Sequence, residues 1–96
     1  MVAVATLTDA EITSGLATLP GWAREGDEIV KTFDCGTFPA AIAFVVRIGF
    51  FAERVDHHPD LDVRWKRVRV ALTTHDAGGL TGKDLDLARE IEGVGA

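Results

Sequence analysis

The chain holds a single cysteine, Cys35, among its 96 residues, so it cannot form an internal disulfide. A fold without that staple suits a reducing, intracellular setting. Positive charge is also short: 10 Lys and Arg stand against 15 Asp and Glu, a formal net charge of −5. This deficit argues against direct nucleic-acid binding and against affinity for anionic membranes, since both need a positive footprint. The longest apolar stretch, Ala40 to Ala52, is cut by Arg47 and is too short to cross a bilayer. The opening MVAVATLTDAE lacks the basic start and long apolar segment of a secretory signal. The expected location is therefore the cytoplasm. Repeats, low-complexity tracts and linkers are missing as well, so residues 1–96 read as one domain with a thin core.

The apolar residues that are present follow clear periods. Thr8 and Glu11 have capping-box spacing and Leu7 and Ile12 staple spacing, which predicts a first helix. Ile12, Leu16 and Leu19 share one face of it until Pro20-Gly21 stops it. Trp22–Glu25, a Gly26-Asp27 turn and Glu28–Cys35 read as a hairpin. Thr37 can cap a second helix, Phe38 to Asp56, that is apolar on nearly every side. Such a helix needs cover on more than one face, which the sheet and a partner subunit could supply. Further on, the apolar phase flips at Lys66-Arg67, which predicts two strands, Asp62–Trp65 and Val68–Thr74, joined by a tight turn. Thr81 and Asp84, with Leu80 and Leu85, repeat the helix-start pattern. That third helix turns Leu85, Ala88 and Ile91 inward and frays at Gly93. The expected class is α+β, in the order α-β-β-α-β-β-α: a four-stranded antiparallel sheet with three helices on one face.

Chemistry concentrates in the histidines. His57 and His58 precede the third strand and His75 follows the fourth, so a hairpin would bring all three to one end of the sheet. Pro59 pushes His58 out of helical conformation and stiffens the backbone after the pair. Three imidazoles in one pocket suit proton transfer near neutral pH. No nucleophile elbow, phosphate loop or dinucleotide fingerprint is present, and Thr73 and Thr74 read as hydrogen-bonding neighbours rather than nucleophiles. Zinc is disfavoured because adjacent histidines rarely share one metal and the i,i+4 ligand spacing is absent.

The run Glu53-xxx-His57-His58-Pro59, followed by Trp65, His75 and Asp84 at set spacings, resembles the signature of the pterin-4a-carbinolamine dehydratases. His75-Asp76-Ala77-Gly78-Gly79-Leu80-Thr81 resembles that family's segment before its last helix, and the resemblance spans essentially the whole chain. It implies dehydration of 4a-hydroxytetrahydropterin to quinonoid dihydropterin, in the recycling of tetrahydrobiopterin. His57 and His75 would then be the general acid/base pair, and His58 would chiefly orient the pterin. Asp56, Pro59, Thr73, Thr74 and Asp76 would line the pocket. The resemblance further implies no metal or organic cofactor, and a homodimer or homotetramer built through the long apolar helix and the sheet edges. Trp65 stands where the family more often has tyrosine, and Lys66 where it has asparagine.

Plainer roles compete at several positions. Asp84 reads first as an acid serving the start of the third helix and Trp65 as core packing near the site, while Glu53 reads equally as an i,i+4 support for His57 and as part of a solvated helix face. Arg64, Lys66, Arg67 and Arg69 read as a solvated strand face, and Cys35 as a small buried hydrophobe. The alternative to an enzyme is a binding module of the same fold, a dimerisation cofactor or an assembly chaperone. Retention of all three histidines favours the enzyme.

Overall fold

A computed structural model describes residues 5–95. Residues 1–4, part of the segment read as lacking a secretory signal, lie outside the described residues, as does residue 96. The elements run α1 (Asp9–Leu16), β1 (Ala23–Glu25), β2 (Glu28–Asp34), α2 (Phe38–Val55), β3 (Asp60–Arg64), β4 (Arg67–Leu72) and α3 (Gly82–Val94). A single 3-10 turn, His75–Ala77, lies between β4 and α3. The strands form one antiparallel sheet in the order β1-β2-β4-β3, which puts β4 at its centre.

The helix starts form as their spacing predicts. Thr8 and Glu11 make a reciprocal capping box, as do Thr81 and Asp84, and Thr37 accepts the Ala40 N–H at the start of α2. Alternation sorts the sheet. Ile29, Phe33, Val68, Val70 and Leu72 are buried on one face, against Phe44 and Ile48 of α2 and Ala88 and Ile91 of α3. The opposite face is mostly polar, with Val30 and Ala71 buried in it, and three basic residues on it or at its turn are paired: Arg69 with Glu25, Arg64 with Asp62, Lys66 with Asp34.

Several boundaries differ from expectation. α1 ends at Leu16, and the chain reaches Trp22 through tight turns in which Leu19 N–H bonds to Leu16 and Trp22 N–H to Leu19. Leu19 is nonetheless buried, so its period reported burial and not helix. The β3–β4 turn is Trp65-Lys66, one residue earlier than expected, with Arg64 paired to Arg67. Trp65 takes the left-handed conformation (φ 54°) and is 68 % exposed. It therefore does not pack in the core, and it sits at the far end of the hairpin from the histidines. β4 ends at Leu72 instead of Thr74, α3 runs past Gly93 to Val94, and Cys35 lies just beyond β2, only half-buried.

The long helix α2 carries Arg54 in its last turn and buries only Ala41, Phe44, Ile48 and Ala52. Phe38, Ile42, Val46 and Phe50, four residues apart, are exposed along its length. No helix among the described residues is long and apolar enough to cross a membrane.

Candidate active site

α2 ends in a Schellman-type turn. Asp56 adopts the left-handed conformation (φ 52°), its N–H bonds to Glu53 O, and the His57 N–H bonds to Ala52 O at 3.1 Å. This turn swings His57 off the helix line and inward, where its side chain is 11 % exposed. There its Nε2 lies 2.6 Å from Oδ1 of Asp84, a side chain with no exposure at all.

Asp84 is held from two further directions. Its Oδ2 accepts the Thr81 N–H at 2.9 Å and the Thr74 hydroxyl at 2.8 Å. Thr81 Oγ1 stands 2.8 Å from Thr74 Oγ1, and since that threonine already donates to Asp84, the Thr81 hydroxyl donates to it. Three donors on one carboxylate is the pattern an ionised Asp accepts, and no buried side-chain polar atom among the described residues lacks a partner. The Nε2–H of His57 donates into this network, which leaves Nδ1 as the acceptor nitrogen of the neutral ring. Asp84 therefore serves both α3 and His57, so the choice of one role over the other was too narrow.

His58 differs from its neighbour. It points outward, with Nε2 at 3.0 Å from Glu53 Oε1, both side chains well exposed. Glu53 thus supports His58, not His57. The i,i+4 geometry that would have paired it with His57 ends at the left-handed turn. An exposed pair of this kind contributes little to stability.

His75 arrives from the other side. Thr74 bridges to Gly79, closing a short loop around the 3-10 turn, and His75 stands exposed on it. All three histidines line one cleft of about 270 Å³ with Asp56, Thr73, Thr74 and Asp76. The eighth lining residue is Lys83, which the sequence reading missed. Its signal was its place beside Asp84 in the first turn of α3, where a side chain faces the same end of the sheet. Pro59 does not line the cleft, and its part is to start β3 at Asp60. A wider groove of about 490 Å³ lies between α1 and α3 beside Gly15 and Leu85. It contains no histidine, and its charged groups are engaged elsewhere, Glu11 in the α1 cap and Arg89 with Asp86. Among the described residues, no three His, Cys, Asp or Glu side chains converge as a metal site.

The arrangement can move protons. One imidazole is braced by a buried carboxylate, a second faces it across a polar cleft, and a third marks the rim. Comparison with known proteins agrees with this geometry. A family model described as pterin 4 alpha carbinolamine dehydratase matches residues 5–94. A pterin-4-alpha-carbinolamine dehydratase homologue from Roseiflexus castenholzii is 58% identical over 90 residues, 94% of this chain and 97% of its own length. One from Nocardia farcinica is 55% identical over 86 residues, 90% of each chain. The crystal structure of a Brucella melitensis protein described as a transcriptional coactivator/pterin dehydratase superposes with a TM-score of 0.90 at 31% identity, covering 95% of this chain and 99% of that one. The chain belongs to the pterin-4a-carbinolamine dehydratase family.

Proposed function

We propose that the protein is a hydro-lyase that dehydrates 4a-hydroxytetrahydropterin to quinonoid dihydropterin, with His57 and His75 as its acid/base pair. The observation that carries this reading is the His57–Asp84 contact inside a cleft that also holds His75. Asp84 fixes the tautomer and orientation of His57, leaving a basic Nδ1, and stabilises the imidazolium formed when that nitrogen takes a proton. His75, with no side-chain hydrogen bond among the described residues, is free to turn toward the substrate. The proton of N5 leaves to one imidazole while the other protonates the C4a hydroxyl, the C4a–O bond breaks and water departs. Neither a covalent intermediate nor a cofactor is needed for these steps. His58, outward-facing and linked to Glu53, orients the ring at the rim, and Asp56, Thr73, Thr74 and Asp76 line the pocket.

The setting is a reducing cytoplasm, in keeping with the single cysteine, and the task is recycling of tetrahydrobiopterin. Residues 1–96 act as one domain and self-associate through the exposed face of α2, as a homodimer or homotetramer. A second, binding role is favoured by one observation only, the coactivator in the description of the Brucella melitensis protein.

The test follows the ultraviolet absorbance of synthetic 4a-hydroxytetrahydropterin. The wild type should accelerate dehydration over the spontaneous rate, and His57→Ala and His75→Ala should each lose about 10²-fold or more. Folded wild-type protein without acceleration would overturn the enzyme and leave the binding module.

A further inference from the structure

The histidine cleft has two flanks of different chemistry. Across Thr73 and His75 it abuts a cleft of about 320 Å³ whose other walls are Asp27, Glu28, Gly78 and Gly79. Across His57 and Lys83 it abuts one of about 180 Å³, walled by Val55, Leu87, Asp86 and Glu90. The first flank presents carboxylates beside the open backbone of Gly78. The second presents two aliphatic side chains rimmed by charge. A pterin is just as asymmetric: one edge carries the N3–H and the 2-amino group, two parallel donors, and the other carries the C6 substituent.

From this asymmetry we infer that the three clefts fix the direction of the bound pterin, with its 2-amino edge against Asp27 and its C6 substituent over Val55 and Leu87. The inference rests on the pterin reading above. Two parallel N–H donors match a carboxylate as a guanidinium does, by a bidentate, charge-assisted pair. Asp27 is built for such a contact. Thr73 Oγ1 donates to its backbone carbonyl at 2.6 Å, pinning the β1–β2 tip to the end of β4. Its Oδ1 stands 4.0 Å from where a Cβ on Gly79 would lie, so the carboxylate overhangs the glycine floor. It has no hydrogen-bond or ion-pair partner among the described residues. Gly78 has nothing within 4 Å of an added Cβ and leaves room for a flat ring beside it, whereas the Thr6 side chain and the Asp27 carboxylate cover Gly79.

The direction divides the work between the histidines. From the 2-amino edge toward the substituent the ring runs C4, C4a, N5, C6. C4a then lies nearer His75 and N5 nearer His57. His75 gives its proton to the departing hydroxyl and His57 takes the proton of N5. One water is lost, a C4a–N5 double bond forms, and exchange with solvent resets both rings.

The experiment measures calorimetric affinities of 6-methyl-7,8-dihydropterin and its 2-deamino counterpart for the whole wild-type chain and for Asp27→Asn. Asparagine keeps the turn and the Thr73 bond but removes the charge. The wild type should prefer the amino compound by roughly tenfold or more, and Asp27→Asn by less than about threefold. A preference unchanged by Asp27→Asn, in a wild type that binds pterins and dehydrates them, overturns the direction and leaves the enzyme standing. A wild type that binds neither compound and accelerates nothing removes the enzyme and the inference together. Val55→Ala should lower affinity for a dihydropterin with a three-carbon C6 chain while sparing the 2-amino preference. The reverse result also overturns the assignment.

Discussion

Asp84 shows how one residue can carry two duties that spacing alone separates poorly. The pattern Thr81-x-x-Asp84 already accounts for it as a helix-start acid, and nothing local announces that its second oxygen meets a histidine 27 positions away. Asp84→Asn is expected to cost about 1–3 kcal/mol, because a carboxamide turns one of its two heads into a donor facing donors. It should also lower kcat more than it raises KM. Thr8→Ala at the α1 cap is the control, losing about 1 kcal/mol with kcat unchanged. Urea unfolding beside steady-state kinetics reads both. The pairing of Glu53 with His57 fails for a related reason, since helical spacing holds only until Asp56 leaves the helix, and Glu53 keeps the solvated position that is its other reading. Asp56 itself sits where glycine is the usual occupant. Asp56→Gly should gain about 0.5–1 kcal/mol in the same unfolding assay while slowing turnover, because the side chain lost lines the cleft. Cys35 reports on burial: desolvation, aided by the neighbouring Asp34, raises its thiol above the usual range, with Arg47 opposing. A raised value in the fold means its contribution to stability is full at neutral pH and is lost as pH rises through the folded value. Iodoacetamide at pH 8 should accordingly alkylate the folded chain several-fold more slowly than the urea-unfolded one.

Among the elements, the legible part was what local chemistry fixes. The three caps, the two hairpins and the order of seven elements all follow from side chains within a few residues of each other. What escaped was set by the backbone. The tip of the β3–β4 hairpin moved by one residue because Trp65, with no glycine or asparagine to mark it, takes the left-handed turn position. That shift carries Trp65 away from the site and turns a core expectation into an exposed ring. Close packing between helices was likewise invisible. Gly15 in α1 lies against α3 so tightly that an added Cβ would stand 2.5 Å from Leu85 Cδ1. Gly49 in α2 has nothing within 4 Å of the same position. Both residues are helical, so alanine has the better intrinsic propensity at each, by about 0.8–1 kcal/mol. Gly49→Ala should show that gain. At Gly15 the overlap should reverse it, to a net loss of about 1–2 kcal/mol. Thermal unfolding of the two variants side by side decides whether packing or propensity governs each helix.

For the molecule as a whole, the question is where the apolar surface of α2 goes. The sheet and α3 take up Ala41, Phe44, Ile48 and Ala52, and no further layer of the described residues covers the other side of the helix. Phe38, Ile42, Val46 and Phe50 therefore form an outward stripe about 18 Å long, at 1.5 Å per residue. Phe50 is 75 % exposed, a large cost for an aromatic side chain to bear alone. The histidine cleft opens at the C-terminal end of the same helix, just past Val55. Self-association through the stripe would thus clamp the helix whose last turn aims His57, coupling assembly to the site without placing a partner residue in it. Phe50→Glu separates the two effects, because it charges the most exposed position of the stripe, at its C-terminal end, while leaving the buried face and the Schellman turn intact. Sedimentation velocity should show a smaller species for Phe50→Glu than for the wild type, with an unchanged circular dichroism spectrum. If assembly steadies the turn, kcat should fall several-fold as the species shrinks and recover as protein concentration restores the larger form. A wild type that sediments as a monomer at micromolar concentration would remove the stripe as a self-association surface, and with it any reason for activity to depend on concentration.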